Sequence, residues 1–96
     1  MKEVHFFVNG RVQGVGYRAW CVRTASKFGI SGWVRNRFDG TVEILAIGQE
    51  FQIDGFLKEC LKGPLWANVK SLKPVQVPTA ILPIVKEGIF CQQPTV

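Results

Sequence analysis

Near the middle of this chain the pair Asp39-Gly40 stands between two runs of strand-like character, Ser31 to Phe38 and Thr41 to Ile47. Asp-Gly is a strong signal for a two-residue hairpin, so the two runs are expected to pair antiparallel. In the second run Val42, Ile44 and Ala46 share one side, the period-two pattern of a strand with one buried face. A lone hairpin is marginal in water and needs further strands or a helix against its apolar face. The flanking sequence has to supply them.

It supplies the same pair of elements on each side. Upstream, Val4, Phe6 and Val8 alternate with Glu3, His5 and Asn9, a first strand. Tyr17 to Phe28 then reads as a helix, with Cys21, Ala25 and Phe28 on one face and Gly29 placed to end it. Downstream, Gly48 breaks the hairpin's second strand. Glu50 to Leu61 reads as a helix with Ile53, Phe56, Leu57, Cys60 and Leu61 inward, stopped by Gly63-Pro64. Ala67 to Pro74 reads as a fourth strand and Gly88 to Gln92 as a short final one. The order β-α-β-β-α-β, with one strand more, is that of an α+β, ferredoxin-like sandwich. Two helices are expected on one face of a mostly antiparallel, four- to five-stranded sheet. Between the last strands, Pro74, Pro78 and Pro83 interrupt an apolar run that ends at Val85. Prolines argue against a central strand, and the segment reads as an ordered loop packed on the core edge.

At 96 residues and 47% hydrophobic, the chain suits one globular domain, 1–96, with a core that needs neither metal nor disulfide. Cys21, Cys60 and Cys91 are an odd count without C-x-x-C spacing, as expected of reduced thiols in a cytoplasm. The apolar run after Lys2 and Glu3 is too short for a signal peptide, and no stretch approaches the ~20 apolar residues of a membrane span. A net charge of +5 suits an anionic partner without naming one. No His, Asp, Glu or Cys cluster has metal-ligand spacing. The single histidine, His5, reads as structural, and Asp39 and Glu43 as turn and strand-face residues.

The chemistry gathers in Gly10-Arg11-Val12-Gln13-Gly14-Val15-Gly16-Tyr17-Arg18, between the first strand and the first helix. Glycines let the backbone turn sharply and bring its N–H groups close to a ligand. A helix N-terminus follows, with its positive dipole end. Such a loop is an anion site, most often for phosphate, and Arg18 adds a guanidinium fork for the same oxygens. A plain glycine-rich turn with surface arginines fits the bare loop as well. A Walker A loop does not, because no Lys-Ser or Lys-Thr follows the last glycine. Gly14 to Ala19 fits the weak dinucleotide fingerprint G-x-G-x-x-A, but Asp39 lies in a hairpin turn and the chain is too short for a doubly wound fold. A C-x5-R phosphatase loop is also excluded, since Lys27 follows Cys21 and Trp66 follows Cys60 at that spacing.

In a ferredoxin-like plan the first and second strands are parallel, with the third between them. The glycine loop and the end of the second strand then share one edge, roughly 10 Å apart, or two strand spacings. Asn36 falls at that strand end. It reads either as an ordinary residue flanking a turn or as an amide that orients an attacking water. Arg35 and Arg37 read as solvated charges at the strand end, and Trp20, Trp33 and Trp66 as core or half-buried packing.

The glycine-loop motif, Gly32-Trp33-Val34-Arg35-Asn36 with Asp39-Gly40-Thr41-Val42-Glu43, and Gly63-Pro64 with Ala67 and Val69 together resemble the acylphosphatase family. The likeness runs from about Val4 to Val69. Tyr17 stands where Phe is usual, and the Pro-rich segment and the tail depart from the family pattern. The resemblance implies hydrolysis of small acyl phosphates to a carboxylate and inorganic phosphate, by a monomer with no metal or cofactor. It implies that the loop of Gln13, Gly14, Val15, Gly16, Tyr17 and Arg18 cradles the phosphate through backbone N–H groups, that Arg18 binds it, and that Asn36 positions the water. The alternative is a non-catalytic anion- or nucleic-acid-binding module of the same fold. Base stacking on that fold needs aromatics on the first and third strands, and Thr41 to Ile47 has none.

Overall fold

A computed structural model of the chain describes residues 1–76 and 82–96. The elements run β1 (Lys2–Arg11), α1 (Tyr17–Phe28), β2 (Ser31–Asn36), β3 (Val42–Gly48), α2 (Glu50–Lys62), β4 (Asn68–Pro74) and β5 (Phe90–Gln92). They build the expected ferredoxin-like α+β plan, two helices against a mixed sheet of order β4-β1-β3-β2-β5. β3 is antiparallel to both β1 and β2, β4 is antiparallel to β1, and β5 is parallel to β2.

Period two decides what the sheet buries. Phe6 and Val8 of β1, Val34 of β2 and Ile44 of β3 meet Cys21 and Ala25 of α1 and Ile53 and Phe56 of α2 in one core. Truncating a phenylalanine in such a core costs about 3–5 kcal/mol. α1 closes with Gly29 N–H on Ser26 O (3.1 Å) and Ile30 N–H on Ala25 O (3.0 Å), a Schellman end. α2 opens on a capping box between Gln49 and Gln52. The Tyr17 hydroxyl donates to the Cys60 carbonyl (2.7 Å), which lies in the last turn of α2 and has no helical partner. The start of α1 is thereby tied to the end of α2.

The central hairpin differs from the expected one by one residue. Its loop is Phe38, Asp39 and Gly40, closed by Arg37 N–H on Thr41 O (2.9 Å), with Gly40 N–H on Arg37 O (3.1 Å). The Asp39 carboxylate takes both Thr41 N–H (2.9 Å) and Thr41 Oγ1–H (2.7 Å), which favours this three-residue turn over the two-residue form. β2 accordingly ends at Asn36, not Phe38. Register follows: Arg35 faces Glu43 and Asn36 faces Val42. A loop of Asp39 and Gly40 alone would set Asn36 opposite Glu43, and directly paired residues share a face. The extra loop residue leaves Asn36 on the helix side and sends Glu43 to the other.

That other face is also covered. The chain passes from β4 at one edge to β5 at the other. Part of the Pro-rich connection, 77–81, lies outside the described residues. Before it, Val75 N–H donates to His5 O (2.9 Å); after it, Pro83 O accepts the Trp33 Nε1–H (3.0 Å). Trp33, Glu43 and Leu45 are all buried on this side. Beyond β5 the tail stays beside β2, with Gln93 N–H on Val34 O (2.9 Å) and Phe38 N–H on Val96 O (2.8 Å).

Candidate active site

A register shift at Asn9/Gly10 bends the end of β1 where the glycine loop begins. Gly14 and Gly16 take φ of 72° and 79°. That conformation costs an ordinary residue about 1–2 kcal/mol. No atom lies within 4 Å of a Cβ built at either position, so backbone shape and not crowding calls for glycine. Gly16 caps α1 without a side-chain hydrogen bond, and no acid sits in the first turn. The first-turn N–H groups of Tyr17, Arg18 and Ala19 point out of the helix with the dipole unopposed.

Gly14, Gly16, Arg18 and Ala19 line an open cavity of about 160 Å3, with Asn36 in its wall and Gln92 of β5 beside it. Sites that enclose drug-sized ligands measure about 300–1,000 Å3, so this one suits a small anionic group. The placement follows from the topology, because β1 and β2 run parallel on either side of β3.

The expected site residues separate into two groups. Gly14, Gly16, Tyr17, Arg18 and Asn36 converge on the cavity. Tyr17 brings only its backbone, since its ring is buried and its hydroxyl is engaged with Cys60; burial pushes that hydroxyl's pKa far up. Val15 packs against the core. The Gln13 amide turns to the hairpin, where Nε2 donates to Arg37 O (2.7 Å) and Thr41 O (2.8 Å). Gln13 thus fastens the loop to the segment that follows Asn36. Asn36 Oδ1 is buried and has no hydrogen-bond partner among the described residues. Leaving such an acceptor unpaired costs about 1–3 kcal/mol, a cost that asks for a reason.

Several side chains differ from the sequence reading. Trp33 is core and Trp20 half-buried as expected, but Trp66 is 73% exposed. Glu43 is a strand-face residue as expected, but it is 1% exposed and carries a charge into the interior. His5 Nε2 lies 2.6 Å from Glu43 Oε2, while Arg35 Nε (2.7 Å) and Arg37 NH1 (3.0 Å) both donate to Oε1. Arg35 and Arg37 are therefore bound to a buried carboxylate and not merely solvated. Among the described residues no three metal-ligating side chains converge. Cys21 and Cys60 are buried free thiols, and burial raises the Cys21 pKa, which makes it a poor nucleophile. No described helix is long and apolar enough to cross a membrane.

Burial pushes the Glu43 carboxyl up, but the hydrogen bonds from Arg35, His5 and Arg37 outweigh it and leave its pKa lowered. A lowered carboxylate pKa contributes stability that is complete above the unfolded value and lost as pH falls through the folded one. Wild type is therefore expected to exceed Glu43→Gln in urea midpoint at neutral pH, with the gap closing below about pH 4.3, the ordinary glutamate value. Urea titrations of both proteins across that range test it; a gap independent of pH would refute the network as the cause.

Comparison with known proteins agrees with the geometry. A sequence model described as Acylphosphatase matches residues 4–81. An acylphosphatase of Nitrobacter winogradskyi is 42% identical over 90 residues, 93% of this chain and 91% of its own. One of Moorella thermoacetica is 48% identical over 71 residues, 74% of this chain and 76% of its own. The crystal structure of acylphosphatase from Bacillus subtilis aligns with a TM-score of 0.83 at 32% identity, covering 97% of this chain and 99% of that one.

Proposed function

The chain belongs to the acylphosphatase family, hydrolases of acid anhydrides, and we propose that it cleaves small acyl phosphates with Arg18 and Asn36 in the leading roles. The observation that carries the assignment is Asn36 Oδ1, which has no hydrogen-bond partner among the described residues, in the wall of the cavity shared by Arg18 and the glycine loop. Backbone N–H groups between Gln13 and Arg18 and the Arg18 fork receive the phosphoryl oxygens. Asn36 Oδ1 accepts a hydrogen bond from the attacking water, and its amide N–H, which forms no hydrogen bond among the described residues, can donate to a phosphoryl oxygen.

The reaction asks for little else. Water attacks phosphorus, the bond to the acyl oxygen breaks, and its electron pair leaves with the carboxylate. A carboxylate is a good leaving group and needs no general acid. The water's proton ends on a phosphoryl oxygen of the product. Phosphoryl transfer through a loose transition state depends mainly on positioning and on charge stabilisation. The positive charge comes from Arg18 and the helix end, so neither metal nor thiol has a part in this scheme.

One chain carries every residue in the scheme, which suits a monomer, and the free cysteines suit a reducing cytoplasm. The domain spans 1–96. The expected result is rapid hydrolysis of acetyl phosphate beside negligible turnover of a phosphate monoester of similar size. Activity should survive a chelator and replacement of all three cysteines in a protein that still folds. Equal rates on the two substrates, or chelator-sensitive activity restored by a divalent ion, would overturn the reading.

A further inference from the structure

Asn36 is bracketed by two arginines that one buried carboxylate holds. Arg35 precedes it and Arg37 follows it, and both guanidinium groups reach the same Glu43 oxygen. Both side chains leave on the face away from the helices, as alternation along a strand requires, while Asn36 emerges on the helix side into the cavity. Each guanidinium is also seated on a ring: Arg35 lies 4.7 Å from the Trp33 ring centroid and Arg37 5.4 Å from that of Phe7. Glu43 itself is anchored to β1 through His5. β1 leads into the phosphate loop, so one carboxylate joins the strand before the loop to the strand end that carries Asn36. The buried glutamate takes no direct part in the hydrolysis proposed above.

We infer that Glu43 is the positioning residue for Asn36, setting the tilt of the β2 end through Arg35 and Arg37 from the reverse side of the sheet. The inference rests on the water-positioning reading of Asn36. A strand end held by only one neighbouring side chain can pivot about it; held on both sides of Asn36, it cannot. A neutral amide at position 43 keeps the shape but loses the charge that holds both guanidiniums, and its NH2 replaces the acceptor that faced His5. Small displacements of a group that aims a nucleophile cost rate without costing ground-state affinity.

The test is a set of three variants with kcat, KM and inhibition by inorganic phosphate measured on acetyl phosphate, well below each melting temperature. Glu43→Gln is expected to lower kcat on the order of 10- to 100-fold, the scale of a misplacement near 1 Å, with KM and phosphate inhibition unchanged. Arg37→Met keeps an unbranched chain of similar reach and removes one brace; a smaller loss in kcat alone is expected, and this variant carries the test should Glu43→Gln fail to fold. Added to Asn36→Ala, Glu43→Gln should lower kcat no further, because the group it positions is gone. A merely structural glutamate would lower the melting temperature and leave kcat intact; that result, or an undiminished effect of Glu43→Gln in the Asn36→Ala background, overturns the inference alone. Normal turnover by Asn36→Ala itself would overturn the water-positioning reading and this inference with it.

Discussion

Arg18→Ala is expected to lower kcat/KM on the order of 10³-fold or more, the scale on which an arginine stabilises a phosphoryl-transfer transition state. Arg18 sits in the first turn of α1 and lines the cavity at that helix end, where the proposed scheme puts its guanidinium and the outward N–H groups on one phosphate. It is half-buried and forms no salt bridge among the described residues. Its removal therefore takes away charge without leaving a buried partner stranded, and the fold should remain intact. Arg18→Lys should recover little. An ammonium supplies a point charge and cannot match two phosphoryl oxygens with a planar fork. The same loss should appear without catalysis: inorganic phosphate should raise the melting temperature of the wild type above its value in chloride at equal ionic strength, since a ligand of the native state stabilises it by mass action. Arg18→Ala should lack most of that rise. A folded Arg18→Ala protein with near-normal turnover and a normal phosphate effect would remove Arg18 from the site.

The elements that bring Arg18 and Asn36 together were legible because local rules specify them. Apolar residues at period two mark β1 and β3, Gly29 marks the end of α1, and the glycine run marks the turn between strand and helix. Their order implies that β1 and β2 are parallel about β3, and the structure has that arrangement. The hairpin was legible as a hairpin, not in its length. Asp39 and Gly40 signal a tight turn equally well with two or three loop residues, and the Asp39–Thr41 hydrogen bonds decide between them. That single residue sets which β2 side chains lie beside Glu43, so the two-residue turn expected from Asp39-Gly40 paired the carboxylate with Asn36 and hid its bonds to Arg35 and Arg37. A usable signal existed in the alternation of apolar residues: Val34 and Val42 can both face the helices only in the observed register. Gln13 was hidden differently. Read as a member of the phosphate loop, it spends its amide on the hairpin carbonyls of Arg37 and Thr41, a contact between segments that no local pattern announces.

Asn36→Ala is expected to cut kcat on the order of 10²- to 10³-fold, the loss seen when one preorganised polar group is removed from a transition state. Its separation from Arg18 in the site predicts a different kinetic signature. In the proposed scheme phosphate carries its charge to Arg18 and the helix end, and a neutral amide on another strand adds little to that attraction. Asn36 in that scheme acts on the water, whose position matters only as phosphorus is attacked. Losing it should leave KM and phosphate inhibition nearly unchanged while turnover falls, the pattern of an interaction made in the transition state alone. Stability should not fall, because Asn36 Oδ1 bonds to nothing within the described protein, and deleting an unpaired buried acceptor removes a cost. Asn36→Asp should fail as well: a carboxylate retains the acceptor but repels the phosphoryl oxygens and has no N–H to donate to them. Kinetics and thermal melts on the two variants decide the matter. If Asn36→Ala weakens phosphate inhibition as much as it lowers turnover, Asn36 binds the phosphate and does not aim the water; if it instead lowers the melting temperature with kcat per folded molecule intact, its amide is part of the scaffold.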